Sequence, residues 1–435
     1  MDLLDNMVSY YDDAVVESLQ AIVRINSVPS DAQPGMPFGE GPAKALTYAL
    51  ELCQKLGFRT KNLDNYIGYA EIGQGEEMLG ILTHLDVVPE GNGWDYPPYS
   101  ATIADGKMFG RGTMDDKGAA IAAIYAVKAV ADAGIPLTRR IRIIFGADEE
   151  TGWRDIDYYM EKGEEIPTYS FAPDANFPVI FAEKGCLYFD LTMDTAKAGI
   201  LSIAGGVASN AVPDSCQIQV PATTDGTLTV NAKGTAAHAS LPEHGENAIS
   251  NAMEQLWMLH EQGKISCPLA QFYHERIGTD YWGTKFGIAG SDESGCLTLN
   301  VGTASITDGK VVLSVDIRYP VTWDGEKLLQ SITQQAAQYG MQTENAGISS
   351  PLYIAKNSAL IQKLVGVYQK ITGDKRAPIA IGGGTFARAM PNAVAFGPLL
   401  PGRPMTEHQA NEHIRLDDLK TITRIYAHAV AEILK

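Results

Sequence analysis

An apolar run, MLGILT, ends in His84-Leu85-Asp86, which places an imidazole and a carboxylate two positions apart. Residues i and i+2 of a strand project to the same side, so both groups would leave the strand end together. A histidine that binds a metal through one ring nitrogen needs an acceptor for the other, and Asp86 would supply it and orient His84. A His–Asp pair of purely structural role is the alternative for this tripeptide alone. Further on, Gly110-Arg111-Gly112-Thr113-Met114-Asp115-Asp116-Lys117-Gly118 sets two aspartates at a helix start. One of them can cap the helix while the other faces a cation. Neither a G-x-G-x-x-G nor a Walker pattern is present, so phosphate binding is a weak reading of these glycines. Asp148-Glu149-Glu150 directly follows the run RIRIIFGA. Three adjacent carboxylates at the end of a buried strand repel one another unless a cation offsets them. Asp174 lies in SFAPDANFP, on a loop stiffened by two prolines, and His408 lies in EHQANE before the last helix. Singly these are turn formers, caps and a surface histidine. Together they are a set of imidazoles and carboxylates without a cysteine, which suits zinc, manganese or cobalt better than magnesium. Two ions that share a carboxylate and a water use such a set.

The elements that must position these groups are legible from periodicity. A helix is expected over about 11–26, and Leu46, Leu50, Cys53 and Leu56 mark a second that Gly57 stops. The runs MLGILTHLDVV and RIRIIFGADEE have the length of buried strands, and an Ala-rich helix from about Lys117 to Ala133 separates them. Such alternation gives an α/β fold with a mostly parallel sheet flanked by helices, whose active site lies beyond the carboxyl ends of the strands. After Gly185 the texture changes. CQIQVPATTDGTLTVNAKG and CLTLNVGTASITDGKVVLSVDIRYP alternate apolar and polar residues around Asp-Gly turns, as hairpins do. Helices are expected near 246–262, 325–338 and 357–371. From Pro378 the α/β texture returns, with a strand in AVAFGPLL and a closing helix from Leu416 to Leu434. The expected organisation is a discontinuous catalytic domain, residues 1–185 and 378–435, interrupted by an α+β lid domain at 186–377.

Composition narrows the partners. Of 435 residues, 52 are Asp or Glu against 34 Lys or Arg, a formal charge of -18. A basic face for nucleic acid or an anionic membrane is therefore not expected. Cys53, Cys186, Cys216, Cys267 and Cys296 are scattered and odd in number, which argues against a disulfide framework or a thiolate zinc site. The acidic start MDLLDNMVSYYDDAVVES lacks the basic and apolar regions of a signal peptide, and no apolar run reaches the ~20 residues of a membrane span. A cytoplasmic location is the expectation.

HLDVVP, GRGTMDDKG, DEETG, PDANFP, AAHASLPEHGENA and EHQANE resemble, in order, the motifs of the aminoacylase/carnosinase/glutamate carboxypeptidase family of co-catalytic metallopeptidases. GGGTFARAMPNAVAFGPLLPGR and the long insertion are similar to those of the bacterial peptidase V-type (Xaa-His) dipeptidases. The resemblance covers nearly the whole chain. It implies that His84 and Asp174 hold one divalent ion and Glu150 and His408 a second, with Asp115 bridging both and zinc favoured over manganese or cobalt. It implies Glu149 as general base, Asp86 as the residue that orients His84, and His238 as the group that polarises the scissile carbonyl. Asn210 and Arg318 would bind the substrate's C-terminal carboxylate, Arg318 through two parallel N–H bonds, though Asp316 and Arg318 could equally form a charge pair. Backbone amides of Gly382, Gly383, Gly384 and Thr385 would serve the same end of a dipeptide. A monomer is implied by the length of the insertion. An N-acyl-amino-acid deacylase shares the metal motifs and is the nearest alternative. A non-catalytic metal- or peptide-binding protein would lack a ligand or the base, and none is missing.

Overall fold

In the computed structural model, which describes residues 3–435, chain contacts separate two units. The first comprises residues 1–181, 354–379 and 385–435, and the second residues 182–353 and 380–384.

The first unit opens with α1 (Leu3–Tyr10), not expected from the sequence, and α2 (Asp12–Val23), which falls within the helix expected over about 11–26. Asp12 and Asp13 occupy the first turn of α2, where carboxylates complement the helix dipole and favour a new start after Tyr11. Then come α3 (Glu40–Lys55), β1 (Arg59–Leu63), β2 (Ile67–Ile72), β3 (Met78–His84), α4 (Lys117–Asp132), β4 (Arg140–Gly146), α5 (Arg154–Glu161), β5 (Tyr169–Ala172) and β6 (Ile180–Glu183). The unit ends with α6 (Ala359–Thr372), β7 (Ala393–Ala395) and α7 (Leu416–Ile433). The strands lie in the order β1-β2-β4-β3-β5-β7-β6. The four central strands β4, β3, β5 and β7 are parallel, and β1, β2 and β6 join antiparallel at the flanks. The α/β class expected from the sequence holds, with antiparallel edges added.

Every residue of β3 is buried, as a central strand covered on both faces requires. Full burial of Leu79, Ile81 and Leu82 contributes about 1.5–3 kcal/mol each. α4 is apolar nearly all round because it packs against α7, α1 and α2 as well as the sheet. α6 packs on α7, so residues 359–372 belong with this unit, although their texture continues that of the insertion.

The register sets the chemistry. β3 and β4 pair so that His84 lies opposite Gly146, and Asp148, Glu149 and Glu150 follow immediately. β5 ends at Ala172, two residues before Asp174. The carboxyl ends of three parallel strands thus deliver a His and the acidic residues to one edge of the sheet. Gly118 completes the arrangement, since a Cβ there would sit 2.1 Å from the Thr113 carbonyl oxygen. Only glycine lets α4 start against the turn that carries Asp115.

The second unit is built on a seven-stranded antiparallel sheet containing the hairpins Ser215–Pro221 with Thr227–Lys233 and Thr298–Thr307 with Lys310–Tyr319. Helices Ala248–Glu261 and Gly325–Ala337 lie near their expected places, and Pro268–Arg276 adds a helix not expected from the sequence. No described helix is long and apolar enough to cross a membrane.

Candidate metal centre

His84, at the last position of β3, is fully buried, and its Nε2 lies 2.9 Å from Oδ1 of Asp115 and 3.9 Å from Oδ1 of Asp174. His408, on the loop before α7, has its Nε2 3.1 Å from Oδ2 of Asp115 and 3.0 Å from Oε1 of Glu150. Two sets of three donors result, His84/Asp115/Asp174 and Asp115/Glu150/His408, each with its atoms within 4.8 Å of one another. Asp115 belongs to both and turns one oxygen to each histidine. Ligands at zinc-bond lengths around a tetrahedral ion stand about 3.4 Å apart. The observed separations bracket that value, so the residues present fit two divalent ions sharing a carboxylate.

The neighbouring groups hold these donors by their backbone. The Asp86 carboxylate accepts the amide N–H of Glu149 at 3.2 Å and of Glu150 at 3.0 Å. Its tie to His84 runs mainly through its backbone carbonyl, 3.1 Å from Nδ1, with the carboxylate at 3.5 Å. The Asp86 carboxylate, expected to orient His84, thus stands beside the ring while it also holds two buried amides. Asp116 stands at the N-cap of α4 yet makes no side-chain cap; its carboxylate accepts the His84 amide at 3.3 Å. Asp148, the first carboxylate of the acidic triplet, is fully buried and is gripped by Arg154 through two bonds of 2.6 Å. It is an anchor for the turn, leaving Glu149 and Glu150 to face the centre. Glu149 gives no atom to either donor set but lies in the field of His84, Asp174, Glu150 and Asp115.

Electrostatics reflect a surplus of carboxylates. Burial pushes Asp174 up to about 6, and Asp115 adds to the shift. Burial, with Asp174 close by, holds Asp116 well above the usual carboxylate range. Burial likewise raises Glu149, with Asp174 and Glu150 reinforcing it and His84 opposing. Asp115 and Glu150 raise His408 to about 11. Burial works against a charged His84, but Asp115, Asp174 and Asp86 outweigh it and raise its pKa. Protons gather wherever negative charge is crowded, and divalent cations would replace them.

The remaining expected residues fall into two groups. In the second unit, His238 ends the short strand Ala237–His238, which pairs with Ala211–Val212, and the Asn210 carbonyl accepts the Ala239 amide at 2.9 Å. Ser240 engages Nδ1 of His238 with its Oγ at 2.7 Å and its amide at 3.2 Å, and a neutral ring that accepts from that amide carries its proton on Nε2. Burial, with Arg318 assisting, lowers the His238 pKa and favours that neutral form. Arg318 is nearly buried, and its Nε and Nη2 grip Asp316 at 2.7 and 2.8 Å. Its Nη1 donates to the Gly382 carbonyl at 3.0 Å and contacts Cys186 Sγ at 2.9 Å. Of five guanidinium N–H groups, one on Nη2 is left over. The Nε/Nη2 edge thus makes the Asp316 charge pair that the sequence leaves open beside a role in substrate binding. Gly382 offers a carbonyl, Gly383 and Gly384 follow it in the second unit, and Thr385, in the first, caps the turn Phe386–Ala389 with its hydroxyl on the Ala387 amide at 3.2 Å.

Two residues near the centre escape sequence reasoning. Arg111 and Glu412 form a buried ion pair at 2.7 Å, and the other Glu412 oxygen accepts the amides of Met114 at 2.9 Å and Asp115 at 3.3 Å. Their 301-residue separation hides them, and the available signal is an Arg between two glycines in GRG.

The model of peptidase family M20/M25/M40 matches residues 80–432. YtjP of Bacillus subtilis (strain 168), provisionally named a dipeptidase, is 39% identical over 457 aligned positions, covering 97% of each chain. SH1171 of Staphylococcus haemolyticus (strain JCSC1435), likewise provisionally named, is 33% identical with 97% of each chain covered. Human carnosine dipeptidase 1 superimposes with a TM-score of 0.63 over 100% of this chain and 99% of its own at 17% identity. The aminoacylhistidine dipeptidase of Vibrio alginolyticus gives 0.61 over 97% and 96% at 17% identity. The last two likenesses concern the fold. Together with the extent of the family match, the relatives bear out the resemblance carried by the motifs: the chain belongs to peptidase family M20/M25/M40 and is a metal-dependent hydrolase.

Proposed function

We propose that the chain is a dipeptidase that cleaves the amide bond of dipeptides at a paired divalent-cation centre. The observation that carries this reading is the division of the two Asp115 oxygens between two histidines. His84 and Asp174 would hold one ion, Glu150 and His408 the other, and Asp115 both, with zinc first and manganese or cobalt also suited. When bound, such ions polarise an amide carbonyl and lower the pKa of water. Glu149 is free of both donor sets and can take a proton from the attacking water and deliver it to the leaving amine nitrogen. Asp86 serves it by fixing the amides of 149 and 150. His238, with its proton on Nε2, is assigned to the carbonyl oxygen. Asn210, Arg318 and the amides of Gly383, Gly384 and Thr385 are assigned to the substrate's C-terminal carboxylate, Arg318 contributing charge and a single N–H. The second unit, residues 182–353 with 380–384, is read as a lid domain, and the protein as a cytoplasmic monomer.

Dipeptides are favoured over N-acyl amino acids because the relatives matched over 97% of the chain carry dipeptidase names. A panel of Ala-Ala, Xaa-His, β-alanyl-His and N-acetyl amino acids tests this on protein reloaded with zinc, manganese or cobalt. Dipeptides should exceed acyl substrates in kcat/KM by at least about 100-fold. Turnover of acyl substrates alone would transfer the chain to the deacylases, and turnover of neither would favour a binding protein.

A further inference from the structure

The two donor sets differ in how they are supported. His84 ends a buried central strand and is fully buried, and its amide is fixed by Asp116. His408 stands on a loop, its side chain 53% exposed, with a backbone φ of 61°. A side-chain-bearing residue is strained in that left-handed region and persists there only when its surroundings impose it. What imposes it here is compact. The Glu412 backbone carbonyl accepts the Gly110 amide at 2.9 Å, while its carboxylate holds the Met114 and Asp115 amides and the Arg111 guanidinium. Arg111 in turn donates to the Gln409 carbonyl at 3.4 Å and to the carbonyls of Pro89 and Glu90 at 3.2 and 3.3 Å. Its guanidinium stacks 5.4 Å from the Trp94 ring. Both side chains of the pair are essentially excluded from solvent. On the other side of the loop, Asn411, itself at φ 63°, accepts the Asp95 amide at 2.8 Å.

We infer that Arg111 and Glu412 are positioning residues, a clasp that fixes the His408 loop against the Asp115 turn and so sets the affinity for the ion of the Asp115/Glu150/His408 set. The inference rests on the two-ion reading. Glu412 touches no donor atom; it holds the backbone of Asp115 on one side and lies four residues from His408 on the other. Loss of its carboxylate lets the two move apart; the other set keeps His84 on its buried strand and Asp174 outside the clasp, so it would feel the change less. Outer partners of this kind are worth about 10–100-fold in metal affinity.

The test is calorimetric titration of metal-free protein with Co²⁺, for the wild type, Glu412→Gln and Arg111→Lys. The wild type should bind two equivalents. In Glu412→Gln the second equivalent should weaken about 10–100-fold and the first by no more than about three-fold. Arg111→Lys keeps the charge but loses the planar fork, so it should give the same asymmetry in smaller measure. Circular dichroism of the metal-free proteins identifies any variant that fails to fold. Should Glu412→Gln be that variant, the double variant Arg111→Met/Glu412→Gln, which leaves no buried charge unpaired, is titrated in its place and should show the same loss. Two unchanged equivalents, or equal weakening of both, overturn the clasp while leaving the two-ion reading intact. A wild type that binds fewer than two equivalents defeats that reading and the clasp with it.

Discussion

Replacement of Glu149 by Ala should lower kcat by about 1,000-fold or more, with KM and metal content close to those of the wild type. Glu149 lies beyond β4 in the same turn as Glu150, yet only Glu150 contributes to a donor set. A positioned general base is worth about 10²–10⁴-fold. One that both receives the water's proton and returns it to the amine belongs at the upper end, and 1,000-fold corresponds to about 4 kcal/mol of transition-state stabilisation. Glu149→Gln should be as damaging as the alanine variant, because the amide fills the same space and cannot accept the proton. The checking measurement is steady-state kinetics on a dipeptide, with metal counted by atomic emission on the same sample. A kcat within ten-fold of wild type would remove Glu149 from the chemistry. A loss of one ion would show it to be a ligand instead.

Asp115→Ala should have the second large effect, of a different kind. Each donor set keeps only two protein ligands once the shared carboxylate is gone, His84 with Asp174 and Glu150 with His408. Metal content should fall from about two ions per chain to below one, and kcat/KM should fall by at least about 10⁴-fold at metal concentrations that saturate the wild type. Thermal stability separates this from misfolding. Against the effect of burial, both imidazoles, bonded to Asp115 at 2.9 and 3.1 Å, hold its carboxyl well below the usual carboxylate range, so the metal-free variant should melt lower than metal-free wild type yet still unfold cooperatively. Wild type should gain about 2.7 kcal/mol per site at a free metal concentration 100 times Kd, and the variant almost none. A variant that still binds two ions and keeps its thermal shift would contradict the sharing of Asp115.

The central architecture and the donors were legible because both follow from short-range pattern. A buried strand that ends in His-x-Asp, another that ends in three carboxylates and a loop bracketed by prolines each offer a candidate donor where a parallel sheet would present it, and the family resemblance selects among them. Less legible were the partners that donors choose in space. Asp86 is next but one to His84, yet its carboxylate serves two amides 63 and 64 residues away. Asp148 reads like its two neighbours, and only the position of Arg154 shows it to be an anchor. Arg318 had two readings on one strand, and the structure favours the pairing with Asp316 for most of its donors. Arg111 and Glu412 carry no sequence signal of their pairing, because nothing local connects segments 301 residues apart. Texture also misleads at α6, whose amphipathic pattern does not say which surface it will cover. Its packing on α7 decides that.

The most direct test is anomalous diffraction at the zinc edge from crystals of zinc-loaded protein. Two peaks are expected, one among His84, Asp115 and Asp174 and the other among Asp115, Glu150 and His408, with an Asp115 oxygen at each. A single peak, or zinc held by other residues, would contradict the paired centre on which the proposed chemistry depends.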